Sequence, residues 1–177
     1  MTLRMGSTAT ARYRRAMHRR ALALVLVAGI VVIAAALMTQ YVGGLVPCEL
    51  CLYERWPYYA GISVTALALL AFRVRPVAIS LTAAVVLIYA ASGALGFYHV
   101  GVERHWFEGP SACTSPTKQA TTIDELRAQL LATQPVLCDQ PQWSFHGLTL
   151  AGLNFIASLG LALASLYALR EALRRGA

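Results

Sequence analysis

Residues 21–46 read ALALVLVAGIVVIAAALMTQYVGGLV, twenty-six positions without an Asp, Glu, Lys, Arg or His. About 20 apolar residues carry a helix across the hydrocarbon core of a bilayer, so this stretch predicts a membrane span. Val77 to Tyr98 and Gly147 to Leu169 share the property, and a shorter uncharged run extends from Trp56 to Phe72. The whole chain of 177 residues is 58% hydrophobic and only 13% charged, against roughly a quarter charged in ordinary globular domains. The sequence therefore predicts an all-α membrane protein with a single membrane domain over 1–177. Its core is a four-transmembrane-helix bundle, with helices at about 21–40, 51–72, 77–97 and 148–169.

Upstream of the first run lies a basic lead, residues 1–20, carrying Arg4, Arg12, Arg14, Arg15, Arg19 and Arg20. It lacks apolar periodicity and is expected to be mostly disordered. The apolar run behind it exceeds the about 7 to 15 residues of a signal-peptide core, so a retained helix is expected despite Ala34-Ala35-Ala36, a weak cleavage signature. Arg73 and Arg75 fall between the second and third spans, and Arg170, Arg174 and Arg175 follow the fourth. Eleven of the 15 basic residues thus share one side of a four-span arrangement, while seven of the eight acids lie on the other. Cytoplasmic loops carry the excess of Lys and Arg, so both termini are expected in the cytoplasm and the loops 41–50 and 98–147 outside. This asymmetry accounts for the net charge of +7, and no nucleic-acid partner is expected.

Downstream of the first run stands Pro47-Cys48-Glu49-Leu50-Cys51-Leu52-Tyr53-Glu54-Arg55. Two cysteines three apart can close a small disulfide, and a nearby cation or helix N-terminus lowers the thiol pKa so that a reactive thiolate persists at neutral pH. If the chain is helical from Cys51, that residue lies in the first turn, where the dipole favours a thiolate, and Arg55 shares its face four residues later. A bare Cys-x-x-Cys is also compatible with half of a zinc site, a structural bridge or haem attachment. Haem fits worst, because Leu52 and not histidine follows Cys51. All four cysteines, Cys48, Cys51, Cys113 and Cys138, fall on the outer side, where an oxidising compartment favours disulfides over metal thiolates. No metal ligand set is expected.

From Pro57 to Phe72 a helix measures about 24 Å, short of a hydrocarbon thickness of about 30 Å. Running back to about Cys51 through a kink at Pro57 would complete the crossing. The third span ends in Ser92-Gly93-Ala94-Leu95-Gly96, small residues that let a neighbouring helix or a flat ligand approach the backbone. In the fourth, Asn154 is expected to hydrogen-bond between helices rather than serve a site. The long polar stretch from His99 to His146 is punctuated by Gly109-Pro110, Ser115-Pro116, Pro135 and Pro141, which mark it as loop. Within it Thr122-Ile123-Asp124-Glu125 is a capping box, and Ile123, Leu126 and Leu130 follow at helical spacing. They predict a short amphipathic helix on the bilayer surface or over the redox pair, flanked by Cys113 and Cys138.

These motifs resemble the DsbB family, the quinone-linked membrane oxidoreductases of bacterial disulfide formation. The resemblance rests on the Pro47–Arg55 motif, on Tyr98-His99 with Gly101-Val102-Glu103, and on Trp106 with Gly109-Pro110 before Cys113. It continues in Cys138-Asp139, Trp143, Phe145 and Gly147-Leu148. It implies a bacterial inner-membrane enzyme with its cysteines in the periplasm, a protein dithiol:quinone oxidoreductase. In such an enzyme Cys48-Cys51 faces a bound ubiquinone or menaquinone from the membrane pool, and Cys113-Cys138 faces a soluble DsbA-type oxidant of thioredoxin fold. By the same resemblance Cys51 touches the quinone, Arg55 supports it, His99 lines its site, and Leu95 and Leu150 form part of its wall. The competing expectations are a structural tetraspan protein with two stabilising disulfides, which gives no reason for Arg55 or His99, and a dedicated DsbI-like paralogue serving one substrate.

Overall fold

The computed structural model describes residues 3–110, 122–124, 127 and 136–174. Its longest helix, α1 (Leu3–Tyr41), is followed by the short α2 (Glu49–Tyr53), then α3 (Arg55–Leu70), a 3-10 turn (Ala71–Arg73) and α4 (Arg75–Glu103). A two-stranded hairpin, β1 (Ser144–Phe145) and β2 (Leu148–Thr149), leads into α5 (Leu150–Leu173). Helix α4 packs against both α5 and α3, and α1 against the same two partners. Among the described residues, three helical stretches are long and apolar enough to cross a membrane: Arg12–Tyr41 within α1, and α4 and α5 whole. Cys113 and most of the amphipathic helix expected after Thr122 lie outside the described residues.

The packing inverts that of a water-soluble core. Leu24, Val27, Ile30, Leu67, Leu87, Ile156 and Leu163 point outward, while His18, Thr65, Thr82, Ser92, Ser158 and Ser165 are buried. Outward apolar side chains suit a lipid surround, and inward hydroxyls join helices where no water competes. Ser158 Oγ is shared by Tyr58 Oη at 2.8 Å and Ser92 Oγ at 2.9 Å, which ties α3, α4 and α5 together. Tyr89 fills the centre against Tyr58, with ring centroids 5.8 Å apart. A Cβ at Gly61 would stand 2.6 Å from the Tyr89 ring, so only glycine lets α3 pass α4 here.

The boundaries differ from the expected ones for identifiable reasons. The basic lead is helical from Leu3, because its second half has partners. His18 Nε2 meets Thr82 Oγ1 at 3.1 Å and its ring lies 5.0 Å from Phe72, Arg15 covers Phe72, and Arg14 pairs with Glu171 at 3.6 Å. The expected helix over 51–72 is broken at Glu54, which caps α2 and starts α3. Pro57 has no N–H to offer the Tyr53 carbonyl four residues back, so the ladder is interrupted there. Helix α4 extends to Glu103, past the expected end at about 97, and stops where His105 enters the left-handed region at φ 57°. Trp106 N–H then caps the Gly101 carbonyl at 2.8 Å, and the Phe107 ring lies so close over Gly101 that no Cβ fits. The last helix begins at Leu150, not Leu148. His146 and Gly147, both at positive φ, form the turn of the hairpin, and Thr149 caps α5 through Gly152 N–H at 3.1 Å.

Candidate active site

After α1 the chain turns at Gly44, whose φ of 67° is readily open to glycine, and reaches Cys48, the N-cap of α2. A cap residue has extended backbone, and its side chain accepts from a first-turn N–H. Cys48 does this with sulfur, accepting Cys51 N–H at 3.3 Å. Both cysteines are free thiols, and their sulfurs share a hydrogen bond at 2.8 Å. On the other side of Cys48 lies His99 of α4, with Nε2 3.7 Å from the sulfur and Nδ1 3.0 Å from Glu54 Oε1. Cys48, His99 and Glu54 are all buried.

One proton lies between the two sulfurs, and the surroundings decide its place. The bond from Cys51 holds the Cys48 thiol down at about 5; burial works against this, and His99 adds to the lowering. The same bond pushes Cys51 up, and its own burial adds to that. Cys48 is therefore the thiolate of the reduced pair and Cys51 the thiol. The first-turn argument had favoured Cys51, but the cap position collects the donors.

Cys138, disulfide-bonded and buried, packs in one cluster with Cys48, Leu50 and Val102, with Cys51, Tyr98 and Val136 against it. Its segment is fastened by Gln142, whose amide accepts Val46 N–H at 3.1 Å and donates to Val46 C=O at 2.5 Å. The segment after Cys138 is thus bonded to the backbone two residues before Cys48.

Beside the sulfurs opens a cavity of about 650 Å³. Apolar residues of α1, such as Val32 and Ala36, and Leu150 and Ala157 of α5 form its walls; Cys48, Cys51, Arg55, His99 and Cys138 all line it. Arg55 Nη1 donates to Gln40 Oε1 at 2.6 Å, and among the described residues no carboxylate pairs with it. Asn154 also lines the cavity, with a buried Nδ2 that has no partner among the described residues. Leu95 is half-buried and is not part of the lining.

The structure therefore brings together Cys48, Cys51, Arg55, His99, Cys138 and Leu150. It adds Glu54, Gln142 and Gln40, which sequence reasoning passed over, and Asn154, which was expected to join helices by a hydrogen bond and instead lines the cavity with its Nδ2 unbonded among the described residues. Glu54 carried the one usable signal, its place three residues after Cys51 within the cysteine motif, but Glu49 in the same motif offers the same signal and instead accepts Tyr53 Oη at 3.1 Å. A reduced dithiol with one stabilised thiolate, a second buried cysteine in contact and an apolar chamber beside them can exchange disulfides on one side and hand electrons to an apolar acceptor on the other.

Comparison with known proteins agrees with this chemistry. The family model for disulfide bond formation protein DsbB matches residues 18–168. The chain is 27% identical over 156 residues to Uncharacterized protein RP370 of Rickettsia prowazekii (strain Madrid E), covering 86% of this chain and 88% of that one. No solved structure matches it.

Proposed function

Since the chain belongs to the DsbB family, an inner-membrane family of thiol oxidoreductases acting in disulfide bond formation, we propose that it is a quinone-dependent protein-disulfide oxidase. It reoxidises a periplasmic DsbA-type protein of thioredoxin fold. The observation that carries this reading is the cluster in which Cys138 packs on Cys48 and Cys51 at the wall of the cavity that Arg55 and His99 also line.

In this scheme the partner's thiolate attacks Cys113 of a Cys113-Cys138 disulfide, and the resulting mixed disulfide is resolved by the partner's second thiol, which leaves with a disulfide of its own. Cys138, now a thiolate, attacks Cys48 of an oxidised Cys48-Cys51 pair and expels Cys51. Cys113 then attacks Cys138 and expels Cys48, which restores the outer disulfide and leaves two electrons on the inner dithiol. Both exchanges conserve electrons, since each forms one S–S bond and breaks one.

The cavity suits a quinone. Its walls are apolar, and an unpaired amide donor on Asn154 and the cation of Arg55 stand where a flat dicarbonyl ring could take hydrogen bonds. Cys51, Arg55, His99, Asn154 and Leu150 would hold it. Bound there, a quinone supplies a sink for two electrons and two protons. Arg55 places positive charge beside that site, and developing negative charge on an oxygen is stabilised by a pre-positioned donor. Glu54 holds His99 by Nδ1, so that Nε2 faces Cys48 and can give or take the proton that this sulfur loses or gains.

The membrane placement is part of the same proposal. Helix α3 is about 24 Å long and the 3-10 turn adds about 6 Å, together close to the hydrocarbon thickness of about 30 Å. It serves as the fourth crossing, with both termini cytoplasmic and the cysteines periplasmic, in keeping with the side that holds most of the arginines. Two experiments test the function. Lipid extraction of the detergent-purified protein should yield a bound quinone, and a partner whose second cysteine is replaced by serine should accumulate a reductant-sensitive covalent complex with Cys113. Normal partner oxidation by Cys113→Ser, Cys138→Ser and the double variant would refute the relay.

A further inference from the structure

We infer that the reduced Cys48-Cys51 pair and His99 form a binding site for a soft divalent cation of the Zn2+ class, a site that exists only while the pair is reduced. The two sulfurs and a ring nitrogen of His99 all lie within 4.8 Å of one another. Tetrahedral zinc with Zn–S near 2.3 Å and Zn–N near 2.0–2.1 Å sets neighbouring ligand atoms about 3.4 to 3.8 Å apart. Cys48 Sγ and His99 Nε2, 3.7 Å apart, already have that spacing. The sulfurs stand closer, at 2.8 Å, because they share a proton. Putting a cation in its place requires them to part by about 1 Å, within reach of a rotation of the Cys51 side chain, which borders the open cavity.

The second ligand layer is also built. Zinc-ligating histidines almost always give their other ring N–H to a carboxylate, a carbonyl or water. Here Glu54 Oε1 receives Nδ1 at 3.0 Å, which turns the Nε2 lone pair toward Cys48. Glu54 is itself buried, so this carboxylate is held in place rather than drawn from a solvated surface. Three protein ligands leave a fourth position facing the cavity, open to water. Thiolate ligands select soft ions over Mg2+ and Ca2+. On binding, the proton between the sulfurs and any proton on Nε2 leave to solvent, and no electron moves. A disulfide offers no thiolate, so oxidation abolishes the site.

Binding stands apart from the proposed activity; its consequence rests on it. An ion on both sulfurs would hold the inner dithiol out of turnover, so that Zn2+ acts as a reversible inhibitor competing with oxidation of the pair.

The probe is Co2+, titrated under anaerobic conditions into detergent-purified Cys113→Ser/Cys138→Ser protein, which keeps only the inner dithiol. The expected result is one ion per chain, with a thiolate-to-cobalt charge-transfer band and the visible bands of tetrahedral cobalt, displaced by Zn2+. The same preparation with Cys48-Cys51 oxidised should show none of these bands, a control that needs no further substitution. Glu54→Gln should weaken binding about 10- to 100-fold, and His99→Ala should remove the tetrahedral spectrum. Absence of the charge-transfer band from the reduced protein, or an unchanged spectrum and affinity in both His99→Ala and Glu54→Gln, would overturn the site. If cobalt binds as described but Zn2+ leaves turnover of the full chain untouched, the site stands and its link to the proposed activity falls.

Discussion

Replacing Gln142 with alanine removes both hydrogen bonds that fasten the Cys138 segment to Val46, two residues before Cys48. Gln142 also borders the cavity, but it touches neither sulfur in these contacts. A typical intramolecular hydrogen bond contributes a net of about 0.5–1.5 kcal/mol, and both of these are exposed, so the lower part of that range applies. The pair then contributes about 1–1.5 kcal/mol. With about 1.4 kcal/mol for each factor of ten, the effective concentration of Cys138 at Cys48 should fall about 5- to 13-fold. The assay is rapid-quench alkylation after mixing oxidised protein with reduced partner, following the transfer of reducing equivalents from the outer to the inner pair. In parallel, reoxidation of a chemically reduced inner pair by added quinone is measured alone. Transfer between the pairs should slow by about the stated factor while the quinone step keeps its rate. Unchanged transfer, or equal slowing of both steps, would show that the Gln142 contacts do not set the position of Cys138.

Arg55→Ala should slow quinone reduction about 100- to 1,000-fold, the range seen when a positioned charge-stabilising donor is lost, and slow partner exchange far less; Arg55→Lys should rescue it in part, lacking the planar fork. Equal loss in both half-reactions would mark Arg55 as structural. With Cys48 held at about 5 against an ordinary 9.0, thiolate absorbance of the reduced protein should persist as pH falls from 9 and disappear near 5. Because the unfolded thiol binds a proton that the folded one has lost across that window, the reduced protein should gain stability over its Cys48→Ser variant as pH rises from 5 to 9. A midpoint for thiolate loss near 9 would overturn the assignment. A membrane-impermeant thiol reagent should label reduced cysteines once the outer membrane is opened; labelling only after the inner membrane is broken would refute the topology.

Three of the four expected spans were legible because a bilayer leaves a coarse mark, the absence of charge over about 20 residues, and that mark needs no knowledge of partners. The helical lead was not legible, since what holds its second half is Phe72, Thr82 and Glu171, residues far along the chain. The extension of α4 through Tyr98 to Glu103 was hidden by its own polarity. Residues that read as loop are helical because His99 meets Glu54 and Glu103 accepts Thr149 Oγ1 at 2.5 Å, partners supplied by other segments. Cys48, Cys51, Cys138, Arg55 and His99, which border one cavity, stood out in the sequence through motifs. Gln142 and Asn154 belong to no motif, and only the folded chain sets one against Val46 and the other at the cavity wall. The charge on Cys48 rather than Cys51 follows from which of two neighbouring sulfurs collects the donors, a matter of a few ångströms.

That placement of charge gives electron flow a direction. In thiol-disulfide exchange a thiol of low pKa leaves readily and, once released, attacks weakly. In the proposed relay, Cys113 attacks the Cys48-Cys138 mixed disulfide with Cys48 as the leaving group, and Cys51 N–H is already placed to donate to its sulfur. Release is therefore favoured, and the Cys48 thiolate so formed is a poor nucleophile toward the disulfide it has just left. In that relay the inner pair would accept electrons quickly and return them slowly, before any acceptor is considered. His99 contributes to this by lowering the Cys48 pKa, so His99→Ala should raise the pH at which the Cys48 thiolate is lost and make Cys48 a worse leaving group. The expected sign is accumulation of the Cys48-Cys138 mixed disulfide during turnover, read by mass spectrometry of acid-quenched, alkylated protein. A structural defect alone would lower turnover without shifting the titration or enriching that species. A raised Cys48 midpoint with no build-up of the mixed disulfide would show that leaving-group strength does not govern its resolution.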